Sequence, residues 1–154
     1  MTKRYPFLLA LLATLTLACG TGSADGGQEP HDHKHGGDGE HDHYQPGMTR
    51  TSEQELYSIA FYSDPGPPAV GLNVFRLGIA DAAGTAVEGA LVTVDLSMPG
   101  HGHGSDRNPV VEEEAAGVYR VEQASLTMLG IWQIDVTIEA EAGTDTVSFR
   151  FDVL

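Results

Sequence analysis

The chain is short of disulfide partners, of positive charge and of long apolar runs. It has one cysteine in 154 residues, so no internal disulfide can form and the fold must rest on a hydrophobic core. It carries eight Lys and Arg against twenty-two Asp and Glu, a formal net charge of −14. That balance excludes nucleic-acid binding by phosphate neutralisation. It favours cations as ligands without saying which cation. Only the first nineteen residues hold an apolar run of any length, and that run falls short of the roughly 20 residues a spanning helix needs.

Motifs of common enzyme chemistry are also missing. No dinucleotide fingerprint is present, and the Gly-rich stretch "GHGHGS" lacks the Lys and following helix of a phosphate-binding loop. His103, Ser105 and Asp106 are close in sequence, but a triad needs a base held against a nucleophile in space. The acidic run Glu112 to Glu114 lacks the spacing of a calcium-binding loop and reads as a solvated loop. The expectation is a protein that is not an enzyme.

The opening "MTKRYPFLLALLATLTLAC" runs from Lys3 and Arg4 through an apolar stretch to Ala18 and Cys19, the pattern of an export signal over residues 1–18. "LTLAC" followed by Gly20 resembles a bacterial lipobox, with Thr16 standing where Leu is usual. Lipidation of Cys19 would anchor the chain to an inner or outer membrane, and simple secretion is the alternative. Removal of residues 1–18 leaves six Lys and Arg against twenty-two Asp and Glu, net −16.

Residues 19–50 are rich in Gly, Asp and His and poor in core-forming side chains, so a disordered tether is expected. It holds His31, His33, His35, His41 and His43. Clustered imidazoles chelate borderline metals such as copper and zinc. A solvated spacer that binds metal only adventitiously is the plainer account.

From residue 51 to 154 short alternating runs separated by turn residues predict an all-β domain. "LYSIAFYS" offers Tyr57, Ile59 and Phe61, although "TSEQEL" ahead of it could also open a helix. Phe75, Leu77 and Ile79 share a face, as do Val92, Val94, Leu96 and Met98. Tyr119 and Val121, then Trp132, Ile134, Val136 and Ile138, then Val147, Phe149, Phe151 and Val153 complete the inward sets. Six half-buried strands predict an immunoglobulin-like two-sheet β-sandwich.

"MPGHGHGS" follows the third of these strands. Met98 is in register with the core, so packing explains it most simply, yet the end of a strand is also the mouth of a sandwich. His101 and His103, two apart, point to one side of an extended segment. With Met98, and with Met128 from "LTMLGIW", they would make a loop site of two imidazoles and two thioethers. Soft sulfur selects Cu(I), and imidazole also accepts Cu(II) or zinc. Exposed histidines in a polar turn are the alternative, and Trp132 reads as core rather than as a ring on a metal.

The order "GALVTVDLSMPGHGHG", "GVYRVEQASLTMLGIWQIDV", "DTVSFRFDV" resembles the YtkA-like domain, a pattern related to FixH-type proteins and copper-resistance β-sandwiches. The resemblance covers residues 55 to 154. It implies a small exported or membrane-tethered immunoglobulin-like domain found in copper-handling or oxidase-assembly contexts. The functional expectation is therefore a cell-envelope lipoprotein that captures or carries copper, with zinc as the other candidate. The alternative is an accessory module for a membrane-protein partner whose tail buffers zinc.

Overall fold

The computed structural model describes residues 40–154. The signal segment, Cys19, His31, His33 and His35 lie outside the described residues. Nine strands are present among those described: β1 (Met48–Thr51), β2 (Tyr57–Asp64), β3 (Gly71–Asp81), β4 (Leu91–Met98), β5 (His103–Gly104), β6 (Val110–Ala115), β7 (Val118–Leu126), β8 (Gly130–Ala140) and β9 (Gly143–Val153). They form two antiparallel sheets, one ordered β1-β2-β3-β7-β6 and the other β5-β4-β8-β9. The result is the predicted all-β sandwich. Among the described residues no helix is long and apolar enough to cross a membrane.

Period-2 alternation builds the core. Every inward residue predicted from the six runs is buried, including Ile59, Phe61, Leu77, Trp132, Val136 and Phe149, which are completely inaccessible. Phe61 centres an aromatic cluster, with Phe75, Phe149 and Phe151 at ring distances of 5.0, 4.9 and 5.2 Å. Offset and tilted ring pairs of this kind stabilise beyond the area they bury.

The two sheets run in alignment. The Tyr57 hydroxyl, at the start of β2, donates to the Gly143 carbonyl at the start of β9, 2.6 Å away. At the far ends of those strands the Tyr44 ring packs edge-on against both Phe61 and Phe151. One end of the sandwich therefore gathers the ends of β2, β4 and β9 and the starts of β3 and β8.

Three features depart from the sequence expectation. Residues 41–50, assigned to the tether, lie on the domain: Tyr44 packs against the core, the Asp42 amide donates to the Arg150 carbonyl at 2.6 Å, and β1 pairs with β2 from Met48. The apolar ring of Tyr44 and the carboxylate of Asp42 supply the contacts that the surrounding Gly and His could not. Glu112 to Glu114 are not a loop but part of edge strand β6, paired with β7. "TSEQEL" makes a turn whose backbone is held by the buried Asp145 carboxylate, which accepts from the amides of Gln54 at 3.0 Å and Leu56 at 3.2 Å.

Candidate metal-binding end of the sandwich

Met98 is the last residue of β4 and lies directly opposite His103 of β5. Between them the chain turns tightly, with the amides of His101 and Gly102 both donating to the Met98 carbonyl at 3.0 Å. Two of its glycines are what this turn demands. Gly102 has a φ of +68°, which a side chain would strain. A Cβ on Gly104 would stand 2.6 Å from the Leu96 carbonyl oxygen. Backbone geometry thus accounts for Gly102 and Gly104 and leaves the two histidines without a structural reason of that kind.

Both imidazoles are exposed, with ring centroids 5.7 Å apart. Two imidazoles sharing one ion through nitrogens at about 2.0–2.1 Å have centroids roughly 4.5–6.3 Å apart. The pair thus stands at chelating distance. His103 also meets the edge of Trp132 at 6.3 Å. The Trp132 indole N–H in turn donates to the Met128 carbonyl at 2.9 Å, which ties the turn before β8 to the loop after β4.

Met98 and Met128 differ in accessibility. Met98 is 1% exposed and belongs to the core cluster, whereas Met128 is 39% exposed. The Met98 methyl reaches toward Gly130, where an added Cβ would meet it at 3.0 Å. The two methionines and two histidines therefore share one end of the sandwich. Met98 packs as the register requires, opposite His103.

A groove of about 460 Å³ runs beside the loop, lined by Leu96, Met98, His103, Ser105, Arg107 and Asn108 among others. Arg107 is a local cation in a chain dominated by acids, and sequence reading passed over it. Exposed apolar side chains surround the same end: Val70, Leu72 and Leu129 are 47, 60 and 62% exposed. Among the described residues no three His, Cys, Asp or Glu side chains converge on a common point. A metal held at this end would therefore rest on the imidazole pair and on thioether sulfur.

His41 and His43 sit elsewhere. Their segment runs along β9, the edge strand at the other side of the same sheet, so four interstrand steps, about 19 Å, separate them from β5. The two histidine pairs cannot share an ion. Nothing in the alternation of the sequence marked residues 41–44 as fixed. The signal that could have done so is the single aromatic residue, Tyr44, in an otherwise polar stretch.

The two antiparallel sheets, packed face to face around one core, define a small all-β sandwich domain. The family model described as YtkA-like matches residues 51–137, and the chain belongs to the YtkA-like family. No curated protein is similar enough to count as a relative. The solved structure of a DUF4426 family protein from Pseudomonas aeruginosa is similar in fold, with a TM-score of 0.52 at 14% identity over 70% of this chain and 96% of that one. That likeness concerns architecture alone.

Proposed function

We propose that this protein is a non-enzymatic, cell-envelope lipoprotein that captures and carries copper, holding it at Met98, His101, His103 and Met128. The observation that carries the reading is the shared location of these four residues, with the imidazoles 5.7 Å apart. Imidazole and thioether together favour copper over hard cations, and thioether favours its reduced state. The tail histidines His31, His33 and His35 would gather metal ahead of the loop, and Cys19 would carry the anchor.

The test is a competition titration of the full mature chain with Cu(I) and Zn²⁺ against calibrated chelators, with His31, His33 and His35 replaced by Ala. One Cu(I) should bind, and His101→Ala/His103→Ala should weaken it by about a hundredfold or more, the loss expected on removing two ligands. Trp132 gives a second readout, because it is the only tryptophan and stands 6.3 Å from His103. Saturating quenching of its fluorescence by Cu²⁺, absent from the double variant, is expected. Unchanged affinity and unchanged quenching in that variant would remove the loop from the reading.

A second reading is favoured by the exposed side chains of Val70, Leu72 and Leu129 around the same end. Exposed apolar residues grouped at one end suit an accessory module that docks a membrane-protein partner. In that case metal would change neither the stability of the domain nor the quenching of Trp132, and the tail would serve as a zinc buffer.

A further inference from the structure

We infer that His41 and His43 form a second, separately built ion site on the β9 edge, suited to a borderline divalent cation such as Zn²⁺ or Cu²⁺. The inference is independent of the loop site and shares with it only the premise that the protein binds transition metals.

Asp42 makes the site. Its backbone amide donates to the Arg150 carbonyl at 2.6 Å. Its carboxylate accepts from the Arg150 amide at 2.9 Å and pairs with the Arg50 guanidinium. Residue 42 is thereby pinned to the sandwich by both backbone and side chain. His41 and His43 flank this fixed residue and line one groove with Phe151 and Asp152 of β9. Tyr44 locks the following residue, because its hydroxyl accepts from the Ser63 amide at 3.0 Å.

The consequence is a pair of imidazoles with centroids 5.6 Å apart, within the roughly 4.5–6.3 Å that a shared ion requires. This matches the 5.7 Å of His101 and His103. Two different backbones, an edge segment and a tight turn, thus bring a His-x-His sequence to the same separation. Asp152 lines the same groove, which has a volume of about 280 Å³, and adds negative charge beside the pair. The Asp42 carboxylate is occupied by Arg50 and Arg150, so it positions the ligands rather than joining them. Two nitrogens with water in the remaining positions make a donor set for Zn²⁺ or Cu²⁺ and, lacking sulfur, not one that selects Cu(I).

The experiment is a Zn²⁺ titration followed by residue-resolved amide NMR, on the full mature chain with His31, His33 and His35 replaced by Ala. Saturable shifts at Asp42, Tyr44, Arg150 and Asp152 are expected. They should persist in His101→Ala/His103→Ala. In His41→Ala/His43→Ala they should vanish, with binding there weakened at least about tenfold. Because the Asp42 and Tyr44 contacts that hold the segment are untouched, that variant should keep the wild-type amide pattern without metal. Silence at these four residues would overturn the inference, whether or not the loop responds. Shifts confined to His103 and the Trp132 indole would do so while leaving the loop site standing. Shifts at the four residues without any loop response would support the inference and would agree with a loop that selects Cu(I) over Zn²⁺.

Discussion

Trp132→Ala is expected to destabilise the domain by about 4 kcal/mol, the scale found when a fully buried large aromatic is truncated in a core. Trp132 is completely inaccessible and sits in the central strand β8, between β4 and β9. Removing it leaves a cavity that the two flanking strands, held in long antiparallel ladders, cannot collapse to fill. A small domain has only about 5–15 kcal/mol of stability in all, so a large part of the folded population is at risk near physiological temperature. Trp132→Phe separates the two roles of the side chain. It keeps most of the ring and loses the indole donor to the Met128 carbonyl, at a cost of about 1–2 kcal/mol. Urea unfolding followed by circular dichroism, which does not depend on the tryptophan itself, ranks the two. Equal losses would mean that the hydrogen bond, not the packing, carries the effect.

Asp145→Asn should cost about 2–4 kcal/mol and should also change the pH dependence of stability. Asp145 is 2% exposed. Burial alone would raise its pKa, but the Ser52 hydroxyl and the amides of Gln54, Thr146 and Leu56 together outweigh it and hold the carboxyl below its ordinary value. The amide contacts lie on both oxygens, with Thr146 at 2.8 Å from Oδ1 and Leu56 at 3.2 Å from Oδ2. An asparagine accepts through only one oxygen, so one backbone N–H is left facing an amide donor.

The sign of the pH effect follows from the depressed native pKa. The unfolded chain takes up a proton on this residue near the ordinary Asp value of about 3.9, and the native protein takes it up lower. Wild-type stability from this group is therefore fully present above about pH 4 and is lost as the pH falls through the native pKa. Asp145→Asn should be less stable at neutral pH and flatter below pH 4. Unfolding midpoints in urea across pH 2 to 7 check both parts, and parallel curves for the two proteins would show that the carboxylate contributes no titrating stability.

How far the fold was legible depends on which strands have a buried face. The six alternating runs correspond to β2, β3, β4, β7, β8 and β9, and every inward residue read from them is buried, while Asn73, Ala124, Ser125, Leu126 and Asp145 are buried in addition. The strands that sequence reading missed are β1, β5 and β6, and each is at an edge of its sheet. "MTRT" and "HG" offer no apolar alternation, and "VVEEEA" presents three consecutive glutamates. Edge strands need only backbone pairing on one side, and charge along them discourages pairing with other chains. Their sequences therefore record solvent exposure, not strand geometry.

The candidate site was legible as residue types and illegible as places. That Met98 packs inward follows from its register with Leu96. That Met128 shares an end with it depends on the antiparallel pairing of β4, β8 and β9, which lies between residues far apart in the chain. The division of the tail was the least accessible feature. His41 and His43 look like His31, His33 and His35 in composition, and the place of His41 and His43 on the domain rests on the long-range contact of Asp42 with Arg150.

That contact has a mechanical consequence. Any pull transmitted from the N-terminal side of residue 41, as from an anchor at Cys19, meets Asp42 before it meets the ladder between β1 and β2. The bonds to Arg150 and Arg50 would yield first and release a few residues of slack. The core would be spared, because β1 and Tyr44 lie behind the breaking point. Asp42 would in this sense act as a fuse between any such force and the sandwich, and the two histidines that flank it would lose their common orientation when it opened.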